Sequence, residues 1–153
     1  MTVPFKERYF DDYRTGEVLE FGDYLITRDE ITDFARRYDP QPFHLDDAAA
    51  AESIYGGLIA SGWMTCGVLM RLLVDHFISP VSSMGSPGID ELRWLKPVRP
   101  GDRLHARLTV TGTRRSASKP DRGVVKIHQE AINQDGEVVL SMRGMGMYKC
   151  RPN

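Results

Sequence analysis

The sequence predicts an α+β fold in which one long buried helix is wrapped by an antiparallel sheet. Two patterns carry this. Gly56 to Val74 is apolar on nearly every face until Arg71, which is the pattern of a helix without a solvent stripe. From Gly88 to Cys150 the chain runs in long strand-like segments joined by turn residues. A helix apolar all round and a sheet with one apolar face bury each other. The length, 153 residues, suits one domain with a real core (1-153), and 41% apolar against 27% charged residues is the balance of an ordinary globular protein.

Residues 1 to 16 read as an N-terminal arm packed by Tyr9, Phe10 and Tyr13, with a turn at Thr15-Gly16. Glu17 to Ile26 alternates as a strand, with Gly22-Asp23 a candidate bulge. Thr27 caps a helix, Glu30 completes a capping box, and Ile31, Phe34 and Ala35 form its apolar face. Arg36 and Arg37 sit where cations suit the C-terminal dipole, and Pro40 forbids continuation. Asp46 caps a short alanine helix, stopped at Gly56-Gly57. The long helix runs from about Ser61 to about Phe77, and Ile78 to Pro87 is a loop. Gly88 to Val98 is a strand ending at the Pro100-Gly101 turn. Asp102 to Thr113 alternates, with Leu104, Ala106, Leu108 and Val110 on one face and His105, Arg107 and Thr109 on the other. Arg114 to Gly123 is a polar loop. Val124 to Asn133 and Val138 to Cys150 are strands joined at Asp135-Gly136, with Gly144 and Gly146 as bulge or close-approach positions.

The chemistry concentrates before the long helix. Asp39 and His44 are a carboxylate and an imidazole five positions apart, with Pro40 and Pro42 between them. Each proline fixes its own φ and keeps the preceding residue out of the helical region, so a stiff, kinked loop with Asp39 and Gln41 extended is expected. Stiffness suits a proton-transfer pair. The helix starting at Ser61-Gly62 presents free N–H groups at its first turn, which favour a negative oxygen in front of them. An acid–base pair followed by an oxyanion site makes a catalytic centre for chemistry beside a carbonyl. The plainer alternative is that Asp39 ends a helix and His44 makes a structural hydrogen bond. Ser61 suits a helix cap or a donor to substrate. Trp63 suits the core or a substrate wall, and Phe43 and Tyr55 suit packing or an acyl pocket.

Asp39-x-x-Pro42-x-His44-x-Asp46, then Gly57-x-Ile59-Ala60-Ser61-Gly62, resembles the MaoC-like dehydratase family, which includes the (R)-specific enoyl-CoA hydratases. Leu95-Lys-Pro97-Val-Arg-Pro100-Gly101-Asp102 resembles the family's strand–turn–strand signature, and the likeness covers roughly Phe10 to Tyr148. Two positions depart from the usual pattern: Gln41 stands for Asn, and Ser61 for a His. The resemblance implies a hot-dog fold, a central helix wrapped by a curved sheet, and hydration of a 2-enoyl thioester or the reverse dehydration. It implies that Asp39 and His44 hold one water and that the Gly62 N–H holds the thioester oxygen. With Gly57, Ser61 and Trp63, Gly62 makes up the expected substrate-binding set. It further implies an acyl-CoA or acyl-carrier substrate, no cofactor, and a homodimer or higher homo-oligomer.

Composition narrows the alternatives. A net charge of −1 gives no electrostatic case for nucleic acid or an anionic membrane. The helix is too short and too glycine-rich to span a bilayer. Cys66 and Cys150 lie far apart, and no apolar signal core opens the chain, so a reducing cytoplasm is expected. His76, His105 and His128 lack partners at metal-ligand spacing, so no metal is expected. Cys66 reads as a small hydrophobe rather than a nucleophile. Arg93, Lys96, Arg99, Arg114, Arg115 and Lys119 are candidates to meet coenzyme A phosphates or to form a solvated face. A hot-dog thioesterase and a non-catalytic acyl-CoA-binding or scaffold subunit are the rival functions. The first is disfavoured by the lack of an acid between Ser61 and Met70, the second by the intact Asp39 and His44.

Overall fold

In the computed structural model, which describes residues 3 to 153, five antiparallel strands form one sheet in the order β1-β3-β4-β5-β2. They are β1 (Val18–Leu25), β2 (Ile89–Trp94), β3 (Arg103–Arg115), β4 (Arg122–Ile132) and β5 (Val138–Lys149). The helices are α1 (Arg28–Tyr38), α2 (Pro42–Leu45), α3 (Asp47–Glu52) and α4 (Gly62–His76). Met64, Val68, Leu69, Leu72 and Leu73 of α4 share one core with Leu104, Ala106, Leu108 and Val110 of β3, Val125 and Ile127 of β4, and Leu140 of β5. The alternation expected for β3 therefore sets which face meets the helix. The capping expectations hold in backbone terms: Thr27 Oγ1 accepts from Glu30 N at 3.2 Å, and Asp46 Oδ1 from Ala48 N at 2.9 Å. The Glu30 carboxylate does not close the box but accepts from the Tyr24 hydroxyl at 2.5 Å.

The largest correction concerns α4, which is not buried all round. Its sheet-facing side is buried, whereas Trp63, Met70 and Val74 on the other side are 59%, 51% and 51% exposed. A single five-stranded sheet covers only one side of a helix, and apolar periodicity does not say whether the second side is covered by the same chain. Two boundaries also shift. β2 ends at Trp94 instead of running to Val98: Leu95 N and Lys96 N both turn onto the one carbonyl of Val139, and Pro97 beyond them has no N–H to extend a ladder. The polar loop after β3 shrinks to residues 116 to 121.

In the arm, two single 3-10 turns (Phe5–Glu7 and Phe10–Asp12) lead to Tyr13, which inserts beside Phe77 and Tyr148. Arg8 pairs with Glu17 at 2.9 Å in a largely buried site. Residues 1 and 2 of the expected arm lie outside the described residues.

Candidate active site

Asp39 is the C-cap of α1, with φ −152° and ψ 67°. Pro40 turns the chain, and the Gln41 N–H donates back to the Asp39 carbonyl at 2.8 Å. Gln41 is extended as expected, but the next residues do not continue as a loop. Pro42 opens the one-turn helix α2 that carries His44, since a proline ring is pre-shaped for the first helical position. This turn swings the imidazole back toward the Asp39 carboxylate.

His44 Nε2 lies 3.2 Å from Asp39 Oδ2. The other ring nitrogen, Nδ1, is 2.7 Å from the Ile59 carbonyl oxygen. A carbonyl only accepts, so Nδ1 carries a proton and Nε2 is the nitrogen left for chemistry. Phe43 packs edge-on against the imidazole, with ring centroids 4.5 Å apart, and Tyr55 packs on Phe43 at 5.3 Å. Asp39 Oδ1 accepts from Gln41 Nε2 at 2.6 Å, and Oδ2 accepts from Ser61 Oγ at 2.7 Å. Burial pushes the Asp39 carboxyl upward, but the Gln41 and Ser61 donors, joined by His44, outweigh it and hold the group below the usual carboxylate value.

Ser61 is fully buried and is the N-cap of α4, its Oγ accepting from Trp63 N at 3.3 Å. Its proton goes to Asp39, so the hydroxyl caps α4 and at the same time donates to the carboxylate. The bond to Asp39 spans 22 positions and leaves no trace in local sequence pattern. Gly62 is the first residue of α4, and the Trp94 indole lies over it so closely that a Cβ at 62 would stand 2.5 Å from Trp94 Cε2. Trp94 meets Trp63 edge to face at 5.1 Å.

Asp39, His44, Gly62 and Trp63 open on one cavity of about 440 Å³, whose other walls include Phe43, Tyr55, Thr65, Trp94, Val98 and Val139. Of the expected substrate-binding set, Gly62 and Trp63 line the cavity. Ser61 braces Asp39 instead, and Gly57 rests against the Arg99 guanidinium. Trp94, Thr65, Val98 and Val139 carry no sequence signal as site residues, because each reads as an ordinary strand or helix residue.

The other histidines stand elsewhere: His76 stacks on Phe21, His105 lies 3.6 Å from Glu20, and His128 lies 2.9 Å from Ser141 Oγ. Burial pushes the Cys66 thiol upward, away from thiolate character. Among the described residues no helix is long and apolar enough to cross a membrane.

A family model for the MaoC like domain matches residues 12–132. The chain is similar to the structure of a MaoC-like dehydratase from Rhodospirillum rubrum, with 39% identity, a TM-score of 0.89, and 95% of this chain and 99% of that one covered. It is 34% identical to Protein MaoC of Klebsiella aerogenes over 107 residues, which is 69% of this chain but only 31% of that protein's length. It is 26% identical to an (R)-specific enoyl-CoA hydratase of Rhodospirillum rubrum over 105 residues, 68% of this chain and 70% of that enzyme. The architecture of a central helix on a five-stranded antiparallel sheet, the matched span and these likenesses agree: the chain belongs to the MaoC-like dehydratase family and has the hot-dog fold.

Proposed function

We propose that this protein is a hydro-lyase that adds water across the C2=C3 bond of a 2-enoyl thioester of coenzyme A or a carrier protein, or removes it in reverse. The observation that carries the reading is the 3.2 Å approach of His44 Nε2 to Asp39 Oδ2 at the cavity wall, with Nδ1 committed to Ile59. When His44 is neutral, with its one proton on Nδ1, its Nε2 lone pair faces a carboxylate that only accepts. One molecule with two donors satisfies both acceptors, and water is that molecule. Held by its hydrogens, the water presents oxygen to the cavity.

The water oxygen bonds to C3 while His44 Nε2 takes its proton. The π electrons move toward the thioester, and enolate charge gathers on its carbonyl oxygen. The Gly62 N–H, with the α4 dipole behind it, stabilises that charge. The imidazolium then delivers its proton to C2. Asp39, held below the usual carboxylate value, stays ionised and steadies the imidazolium rather than acting as the acid. One H and one OH are added, and no redox cofactor takes part.

A homodimer completes the reading. The free edge of β2, the exposed apolar stripe on α4 and the half-exposed Trp94 and Leu95 at the cavity mouth support it. Thioester hydrolysis has less support, since the first acid on α4 is Asp75 at its far end, paired with Arg71 at 3.0 Å.

The test is loss of the conjugated enoyl absorbance with crotonyl-CoA and longer 2-enoyl-CoA thioesters. Asp39→Asn and His44→Ala each lower turnover by about 10²–10⁴-fold with the fold retained. Free thiol release points instead to a thioesterase, and binding without turnover to a scaffold. Near-wild-type hydration by either variant overturns the assigned roles.

A further inference from the structure

Arg99 makes no ion pair among the described residues, although most arginines of this chain do. Its half-buried guanidinium donates through Nη2 to the Tyr55 backbone carbonyl at 2.6 Å. Its Nη1 lies flat against the next turn of chain, 3.2 Å from where a Cβ on Gly57 would stand. The other hydrogen bonds of the loop it grips are local: Ser53 N and Oγ donate to the Ala50 carbonyl at 3.1 and 2.6 Å, and Gly56 N donates to the Ser53 carbonyl at 3.1 Å. Ser53 Oγ accepts from Tyr55 N at 3.2 Å, Gly56 turns at φ +66°, and Ile54 is 94% exposed. The same arginine succeeds Leu95-Lys-Pro-Val98, the segment that forms the opposite wall of the cavity. That segment is itself anchored, by Ala60 N donating to Val98 O at 2.8 Å and by Arg99 N donating to Asp102 Oδ2 at 2.9 Å. Arg99 therefore bridges the segment of residues 95 to 98 to a loop that is otherwise tied only to itself and to α3, and that carries the Tyr55 ring.

We propose that Arg99 is a positioning residue for acyl-chain selectivity, tying the loop of residues 53 to 57 to the segment of residues 95 to 98 and so fixing the separation between the Tyr55 and Val98 walls. This rests on the hydro-lyase reading for what fills the cavity. The clamp touches neither member of the reacting pair: the Tyr55–Phe43 and Phe43–His44 ring contacts lie between it and the imidazole, which Ile59 holds independently. It acts through the Tyr55 backbone and the Tyr55–Phe43 ring contact, so its loss moves substrate fit more than proton transfer. Gly57 serves the same device, because any side chain there presses on the guanidinium.

The experiment compares wild type, Arg99→Ala, Arg99→Lys and Gly57→Ala on crotonyl-CoA and trans-2-octenoyl-CoA. In Arg99→Ala the ratio of the two kcat/KM values shifts at least fivefold, through KM, while kcat on crotonyl-CoA changes less than threefold. Arg99→Lys, which keeps a cationic donor on a long stem, returns the ratio toward wild type. Gly57→Ala shifts it the same way as Arg99→Ala, and the double variant goes no further. An unchanged ratio, an equal loss on both thioesters, or no rescue by lysine overturns the proposal. If wild type hydrates neither thioester, the hydro-lyase reading fails on its own. The clamp is then read from the dissociation constants of butyryl-CoA and octanoyl-CoA, where the same fivefold shift in Arg99→Ala sustains it and an equal change removes it.

Discussion

Ser61 donates its hydroxyl proton to Asp39 Oδ2 at 2.7 Å while the same oxygen accepts the Trp63 N–H at 3.3 Å. One atom thus joins the start of α4 to the carboxylate beside His44. The first-turn N–H of Gly62 and the Asp39–His44 pair are therefore held in one frame. A hydroxyl donates and accepts at once, so a serine serves as helix cap and carboxylate brace together.

Ser61→Ala removes both bonds. The expected cost is about 1 kcal/mol of stability from the lost cap, with turnover lowered about tenfold as Asp39 loosens. The Asp39 carboxyl, deprived of a donor, rises toward the usual value. A depressed folded-state pKa contributes stability above the unfolded carboxylate value, and that contribution is lost as pH falls through the folded value. The stability gap between wild type and variant is therefore larger at neutral pH than in acid. Urea unfolding measured from neutral pH into the acid range checks this, and a gap that does not change with pH reduces Ser61 to a cap alone.

Gly62→Ala drives a methyl into the Trp94 indole. Overpacking of this kind costs about 1–3 kcal/mol, and displacement of either the helix start or the indole deforms the cavity. Trp94→Ala makes room, so the double variant is less destabilised than the sum of the singles. Thermal unfolding of all four proteins measures the coupling, and simple additivity refutes the contact.

Much of this is legible in the sequence because it is periodic or local. The inward set Leu104, Ala106, Leu108 and Val110 comes from a period of two, and Asp39 and His44 stand out by spacing and by the prolines between them. The rest depends on distant meetings. Ser61 reaches Asp39 across 22 positions, Trp94 reaches Gly62 across 32, and Arg99 reaches Tyr55 across 44. Pro42 reads as a loop-former beside Pro40, yet its position at the start of a turn makes it a helix-former. The outward stripe of α4 misleads for a different reason: apolarity records that a surface avoids water, not which chain covers it.

That stripe leads to a variant with a clear readout. Met70 and Val74 are half exposed in the single chain, so a charge at either position leaves its core intact. If a second copy covers them, Met70→Glu and Val74→Glu bury an unpaired carboxylate and shift the assembly toward monomer. Sedimentation velocity at several protein concentrations reports this, with retained circular dichroism as control. Unaltered sedimentation of both variants places the homodimer contact elsewhere or removes it.

The other end of the molecule predicts an alkaline limit. Tyr13 and Tyr148 are each 3% exposed, and their ring centroids lie 4.5 Å apart. Burial pushes the Tyr13 phenol up to about 12 and raises Tyr148 as well. An unfolded tyrosine ionises near pH 10. Above that pH the unfolded chain releases protons that the folded one retains. The stability these phenols contribute is therefore complete below about pH 10 and is lost as pH rises through the folded values. Tyrosinate absorbance from the pair appears together with loss of the far-ultraviolet signal. Tyr148→Phe keeps the ring, removes one buried phenol and moves the alkaline unfolding midpoint to higher pH. If every tyrosine titrates while the fold persists, the pair is open to hydroxide and its burial does not govern the alkaline limit.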